Sequence, residues 1–149
     1  MVFDVITNDV ILKLIVAAIL GGVVGFEREI THRPAGLRTH ILVSLGAALF
    51  TVMSMMFAED PARIAAGIVA GIGFIGAGSI IAARGEVHGI TTAASLWVVA
   101  AIGLAVGLGA YLIAGVTAFS VFVVLLFGRV ERDLEKKKKI TKLTRIFSS

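Results

Sequence analysis

The chain has 149 residues, of which 58% are hydrophobic and only 16% are charged, and its mean hydropathy is +0.99. A soluble domain carries charge on roughly a quarter of its residues, so this composition excludes one and indicates a polytopic membrane protein. The sequence contains no cysteine, which excludes disulfides, thiolate metal sites and cysteine nucleophiles. The net charge of +4 does not indicate a nucleic-acid partner, because the basic residues follow a membrane topology.

The first predicted membrane span covers about residues 10–26 and contains Gly21 and Gly25, spaced as a Gly-x-x-x-Gly helix-packing motif. A polar loop follows at 27–38, in which proline and glycine favour irregular backbone. The second span covers the uncharged residues 39–58.

The third predicted span is the glycine-rich run of twenty uncharged residues between Arg63 and Arg84, about 30 Å of helix. Asp60 is placed to cap it and Pro61 to occupy its first position. Small residues allow close approach between helices in lipid, so we expect this span to be the central packing helix. The small residues expected to pack are Ala66, Gly67, Ala70, Gly71, Gly73, Ala77 and Gly78. A nucleotide-binding loop is a poor interpretation of these glycines, because they follow no predicted strand.

Residues 87–128 carry no formal charge. As a single helix they would extend about 63 Å, twice the thickness of a bilayer core. They therefore form two predicted spans, 91–106 and 110–127, separated by a turn at 107–109. The expected fold is an all-α, polytopic membrane bundle with five transmembrane helices, and four is the alternative.

The basic residues predict the orientation of this bundle. Twelve of the fourteen lie in the loop after the first span, in the loop after the third, or after residue 128, and only Lys13 and Arg63 fall on the other side. The positive-inside rule then places the N-terminus outside and the C-terminus in the cytoplasm. We predict a transmembrane domain at 1–128 and a basic cytoplasmic tail at 129–149, whose lysine run at 136–139 would be attracted to anionic lipid.

Polar residues at the predicted cytoplasmic ends of the first four spans form a candidate functional cluster. Glu27 and Arg38 bracket a short loop, so a charge pair between them is sterically easy. The helix N-termini near Arg38 and Thr91 carry unpaired N–H groups, which a threonine hydroxyl or a bound anion could satisfy. The alternative is that these charges only anchor helix ends and set the topology. The full set is Glu27, Arg28, Arg38, His40, Ser79, Arg84, His88, Thr91 and Thr92.

Four segments resemble the membrane domain of the MgtC/SapB family: GFERE at 25–29, PAGLRTHILVSLGAALF at 34–50, DPARIAAGIVAGIGFIGAGSII at 60–81 and HGITTAASLWVVAAIG at 88–103. They cover the first four predicted spans in the family's order. The resemblance implies a multi-pass protein of the bacterial inner membrane. Some members of the family serve adaptation to low magnesium, intracellular survival or acid stress. The best-studied branch is held to restrain the F-type ATP synthase rather than to carry magnesium.

The chain departs from the family pattern at several positions. Relatives often carry a polar residue where this chain has Gly67, and serine where it has Ala70. Virulence-type members have asparagine and cysteine where this chain has Thr91 and Val98, and longer members add a soluble C-terminal domain. The departures in the third span disfavour an ion pathway through it.

The sequence bears on three classes of function: an enzyme, a cation transporter and a non-transporting regulator. An enzyme is disfavoured, because the histidines and serines show no spacing typical of a nucleophile with its base or of a metal cage. A magnesium or other cation transporter is the alternative, but no predicted span carries a carboxylate in its interior. The family resemblance, together with the lack of acids inside the predicted spans, implies a non-transporting regulator of adaptation to magnesium limitation or to acid or intracellular stress. We expect no cofactor and assign no metal site. The expected partners are membrane lipid, a membrane protein such as an F-type ATP synthase, and a second copy of the chain.

Overall fold

The computed structural model of the chain describes the backbone of residues 2–56, 60–83 and 86–147, and the side chains of 8–56, 60, 62–82 and 87–129. The described residues form five α-helices and one short β-hairpin, which confirms the all-α polytopic membrane bundle. In chain order the elements are α1 (Val2–Ile30), α2 (Leu37–Met56), α3 (Pro61–Gly78), β1 (Ile81–Ala83), β2 (Glu86–His88), α4 (Ile90–Gly107) and α5 (Tyr111–Phe147).

Four helices are long and apolar enough to cross a membrane within the described residues, namely Asn8–Ile30, Leu37–Met56, Ile90–Gly107 and Tyr111–Arg129. The apolar run of α3, Ala62–Gly78, is shorter. However, α2 and α4 lie side by side and run in the same direction, because His40 contacts Ser95 near their starts and Thr51 lies against Gly107 near their ends. Since α3 joins the end of α2 to the start of α4, it must return across the same thickness. This geometry agrees with five spans.

The third helix is shorter than the sequence predicts. It begins as expected, with the Asp60 side chain accepting a hydrogen bond from the Arg63 amide at 3.3 Å. It ends at Gly78 and does not continue to Arg84, which lies outside the described residues. The backbone N–H and the hydroxyl of Ser79 both donate to a carbonyl of the preceding turn, at 3.0 and 2.7 Å. Such local bonding by serine competes with helix propagation and closes the last turn.

A β-hairpin and not a plain loop connects α3 to α4. Its two strands pair antiparallel, with Ile81 opposite His88. Gly89 then takes φ 91° at the start of α4. A Cβ at Gly89 would lie 1.9 Å from the Ser79 carbonyl oxygen, so this junction requires glycine.

The turns after α1 and after α4 share one hydrogen-bond pattern. His32 takes φ 53°, and its amide and the next one both donate into the last turn of α1 at 3.0 Å. Gly109 takes φ 80°, and the corresponding bonds are 2.8 and 2.9 Å. Both are Schellman C-caps, and the second confirms the turn predicted at 107–109. After this turn, α5 continues without a break through the predicted domain boundary at 128.

The helix α4 is central in the bundle, since it contacts each of the other four helices. One apolar core joins α4 to α1, α2 and α5, and a smaller one joins it to α2 and α3. The larger core contains Ala17, Val24, Ala48, Val99, Ile102, Val106, Ala114, Ala118 and Leu125. The smaller core contains Ala35, Ala47, Ile72, Leu96 and Ala100.

Glycine sets the distance between α2 and its two main neighbours. A Cβ added to Gly21 of α1 would lie 2.8 Å from a carbonyl oxygen of α2, and one added to Gly103 of α4 would lie 2.1 Å from another. Gly25 and Gly107, each four residues further along, make similarly close approaches. Two Gly-x-x-x-Gly pairs therefore hold α1 and α4 directly against the backbone of α2. The predicted packing role of Gly21 and Gly25 is confirmed.

The prediction that α3 is the central packing helix is wrong for the single chain. Its isoleucine face turns inward, with Ile72 in the smaller core and Ile68 packed against it. All seven residues that were expected to pack are exposed: Ala66, Gly67, Ala70, Gly71, Gly73, Ala77 and Gly78. The isoleucines occupy the inner face because they fill the space against α4 that small residues would leave empty. Use of the small-residue surface between chains stays a prediction.

We predict that Gly103→Ala lowers the stability of the protein in detergent by about 1–3 kcal/mol, the usual cost of overpacking. The new methyl group would lie 2.1 Å from the Ser44 carbonyl oxygen. The matched control is Gly71→Ala, whose methyl group would meet nothing within 4 Å. This control should be neutral or gain up to about 1 kcal/mol of helix propensity. Equal unfolding midpoints for the two variants would contradict the contact between α2 and α4.

We also predict that cysteines inserted after Asp60 and after Ser149 of the cysteine-free chain lie on opposite faces of the membrane. An impermeant maleimide should label the first from outside and the second only after permeabilisation. If both sites react from outside, α3 does not cross and the four-span alternative holds.

Candidate functional site

Six polar side chains are buried where the start of α2 and the start of α4 meet the end of α1. This buried polar cluster consists of Glu27, Arg28, His40, Ser44, Thr92 and Ser95, each no more than 3% exposed. Polar groups inside a membrane bundle are costly unless they find partners, so their concentration at one end marks a candidate functional site.

Glu27 and Arg28 form an ion pair inside the bundle. Both side chains point inward from the last turns of α1, and the Arg28 guanidinium binds Glu27 Oε2 through its Nε and Nη2 atoms. Glu27 Oε1 has no hydrogen-bond partner among the described residues. The expected pairing of Glu27 with Arg38 is wrong, because Arg38 is exposed. Leu37 and His40, which flank it on α2, face α1 at Gly25 instead.

His40 links α2 to α4 within the cluster. Its Nδ1 atom lies 2.9 Å from the carbonyl oxygen of Gly36, and its Nε2 atom lies 3.1 Å from Ser95 Oγ. Ser95 Oγ in turn lies 2.8 Å from the carbonyl oxygen of Thr92. A Cβ on Gly25 would lie 2.8 Å from the His40 Cβ atom, so α1 covers the base of the side chain. The ring is thereby fixed between two helices.

Ser44 and Ser95 belong to the cluster although the sequence analysis did not single them out. Ser44 lies one turn after His40, beside both Gly21 and Gly103, and its hydroxyl has no hydrogen-bond partner among the described residues. Ser95 lies one turn after Thr92. The helical spacing from a predicted site residue is the signal that would have identified both serines.

Four of the remaining predicted site residues do not enter the cluster, and the fifth, Arg84, lies outside the described residues. Arg38, His88 and Thr91 are exposed, and Ser79 is half-buried with its hydroxyl bound to its own helix. The start of α2 is capped by a residue that was not predicted, since Glu29 accepts a hydrogen bond from the Leu37 amide at 3.0 Å. At the start of α4 the N-cap residue is a glycine and no side chain caps the helix, so capping by the Thr91 hydroxyl is not observed.

No three His, Asp or Glu side chains come together as a metal site in the part of the chain whose side chains are described. Glu27 is the one carboxylate buried there, and a guanidinium already binds it. A separate groove of about 860 Å³ lies between α2 and α3. Its walls are almost wholly apolar, including Gly46, Gly67 and Gly71, and no member of the buried polar cluster lines it.

We predict that Arg28→Met destabilises the protein by about 3–5 kcal/mol, because it leaves the Glu27 carboxylate buried without its counter-charge. The double variant Glu27→Gln/Arg28→Met should be more stable than this single variant, since it removes both charges. Thermal unfolding in detergent measures both. A double variant less stable than Arg28→Met would contradict the buried ion pair.

A family model described as the MgtC family matches residues 14–133. The chain is 47% identical over 115 residues to the "Putative magnesium transporter YhiD" of Escherichia coli K12, covering 70% of this chain and 54% of that protein. It is 49% identical over 110 residues to the "Protein MgtC" of Brucella abortus, covering 72% and 45%. It is 51% identical over 102 residues to the "Protein MgtC" of Salmonella typhimurium, covering 68% and 44%.

The chain thus spans about half the length of the curated relatives it matches. No solved structure matches it at a significant level. The family match covers most of the chain and includes every residue of the buried polar cluster. The chain belongs to the MgtC family.

Proposed function

We propose that this chain is a non-transporting bacterial inner-membrane protein that regulates adaptation to magnesium limitation or acid stress through a membrane protein partner. The observation that carries the proposal is the buried ion pair. Glu27 is the buried carboxylate of the cluster, and the Arg28 guanidinium already binds it. A divalent cation would have to displace a cation fixed on the same helix.

The distribution of polar groups also favours binding over transport. A Mg²⁺ pathway needs several oxygen ligands and retained waters. The buried polar cluster lies at one end of the bundle. Towards the other end, the α2–α4 contact is made by glycine, alanine and threonine, and the Thr51 hydroxyl binds the carbonyl oxygen of Ala47 at 2.7 Å. An interaction site at one membrane face fits this arrangement better than a path across it.

Magnesium transport is the second candidate, and one observation favours it. The relative from Escherichia coli carries the printed description "Putative magnesium transporter". Two oxygens of the cluster, Glu27 Oε1 and Ser44 Oγ, have no hydrogen-bond partner among the described residues, so they have capacity for a further ligand.

The partner class follows from the surfaces that the bundle presents. The exposed small residues of α3 and the apolar groove beside them suit a transmembrane helix, because small residues permit close helix contact in lipid. An F-type ATP synthase subunit, or a second copy of this chain, would provide such a helix. No enzymatic role is proposed. The Ser95 hydroxyl lies 3.1 Å from His40 Nε2, but both side chains are buried inside the bundle, where a substrate has no access to them.

We predict that Thr92→Val fails to restore growth of a deletion strain under magnesium limitation or at acid pH. Thr92 is buried in the cluster, whereas its neighbour Thr91 is exposed, so Thr91→Val is the matched control and should complement fully. Both variants must first be shown to insert at normal levels. If Thr92→Val and Glu27→Gln both insert normally and both complement fully, the cluster is not required for function.

Proteoliposomes loaded with a magnesium-sensitive dye separate the two candidates. We expect no flux above that of protein-free liposomes. Saturable, protein-dependent magnesium entry that Glu27→Gln abolishes would replace the regulatory proposal with transport.

A further inference from the structure

Three hydrogen-bond contacts join Gly36, His40, Ser95 and Thr92. When the His40 ring is neutral, only two hydrogens are available for them, one on the ring and one on the Ser95 hydroxyl. The Gly36 carbonyl oxygen, 2.9 Å from Nδ1, can only accept, so Nδ1 must carry a hydrogen. The Ser95 hydroxyl lies between His40 Nε2 at 3.1 Å and the Thr92 carbonyl oxygen at 2.8 Å. That hydroxyl has a single hydrogen and cannot form a full hydrogen bond to both atoms.

Protonation of the ring resolves this conflict. When Nε2 carries a second hydrogen, it donates to Ser95 Oγ, and the Ser95 hydroxyl is free to donate to Thr92. All three contacts then form together. With a neutral ring, the Ser95 hydroxyl must turn from Thr92 of its own helix towards Nε2. The opposite neutral tautomer would set the lone pairs of Nδ1 and of the Gly36 carbonyl against each other.

The groups that face the His40 ring determine whether a positive charge on the ring is stabilised. Burial of the ring opposes the charged form most strongly, and the hydrogen bond to the Gly36 carbonyl favours it. On α1, the Arg28 guanidinium also opposes a charged ring, and the Glu27 carboxylate favours it. On α4, the facing groups are Ser95 and Thr92, which are uncharged. Arg38 on α2 itself is exposed. The ring is fully buried, so a proton reaching it acts on the contact between α2 and α4 and not on the solvated surface.

We propose that His40 is a proton-binding site in which protonation switches the Ser95 hydroxyl from α2 to α4. The neutral ring is the Nδ1–H tautomer and accepts a hydrogen bond from Ser95. The protonated ring donates to Ser95 and completes the chain of hydrogen bonds from Gly36 through to Thr92. The physiological role of this site rests on the proposed function: in a protein that regulates adaptation to acid stress, the proton bound by His40 is the acid signal.

Nitrogen-15 NMR of the histidine-labelled protein in lipid nanodiscs tests this proposal between pH 5 and pH 8, the range in which histidine titrates. The chain has three histidines, and the His40 signals are those lost in His40→Gln. We expect the Nδ1–H tautomer at pH 8 and a doubly protonated ring on acidification. An Nε2–H tautomer at pH 8, or a ring that does not titrate in this range, would overturn the proposal.

Ser95→Ala tests the role of the hydroxyl. A hydrogen bond from a charged donor is stronger than one between neutral groups, so losing Ser95 should weaken proton binding about tenfold, which is about one pH unit in the midpoint. Ser95→Thr keeps the hydroxyl and should keep the midpoint. An unchanged midpoint in Ser95→Ala would overturn the switch. If Ser95→Ala does not fold, the tautomer and titration of the unsubstituted protein decide by themselves.

These spectra do not depend on growth. A titrating His40 combined with full complementation by both Thr92→Val and Glu27→Gln would refute the proposed function and leave the proton site standing. A His40 ring that does not titrate, combined with variants that fail to complement, would refute the proton site alone.

Discussion

Close approach of α1 and α4 to the backbone of α2 is the constraint on which the rest of the structure depends. Apolar burial does not drive helices together in lipid, so backbone contact must supply the attraction. Gly21 and Gly25 provide it on one side of α2, and Gly103 and Gly107 provide it on the other. Since α2 and α4 also run in the same direction, the arrangement agrees with a crossing of the membrane by α3 between them. The same contacts bring the side chains of the buried polar cluster within reach of one another.

The cluster follows from this packing. With α1 and α4 so close to α2, the side chains of the cluster are buried, and polar groups at this depth are stabilised by protein partners. Glu27 forms an ion pair with Arg28, and His40 forms hydrogen bonds with Gly36 and Ser95. Removing one member therefore leaves its partner buried and unsatisfied, which costs more than the contact itself contributes. A site of this kind responds to small changes in charge or protonation, as a regulatory role requires.

Much of this arrangement could be predicted from the sequence, because bilayer thickness and charge distribution fix the spans and the turn at 107–109. The same kind of pattern gave a correct prediction for Gly21 and Gly25, which pack against α2, and a wrong one for the small residues of α3, which are exposed. Spacing identifies a small-residue surface, but it does not reveal which helix will cover it. Likewise, the sequence predicts that Glu27 and His40 lie at the same depth. It does not predict that Glu27 pairs with Arg28 and not with Arg38, because this depends on how α2 is rotated about its axis. Ser44 and Ser95 could have been predicted from their helical spacing to His40 and Thr92, but a serine in an apolar helix attracts attention only when that spacing is followed.

The central claim is that the cluster is enclosed within the bundle and is not part of an aqueous path. Cysteine accessibility in native membranes tests this most directly, because the chain has no cysteine of its own. Ser44→Cys and Ser95→Cys are nearly isosteric substitutions at buried positions, and Thr91→Cys is the exposed reference on the same helix end. The account predicts that a small water-soluble thiol reagent modifies position 91 rapidly and leaves positions 44 and 95 unmodified. Modification of all three at similar rates would show a water-filled cavity and contradict the account.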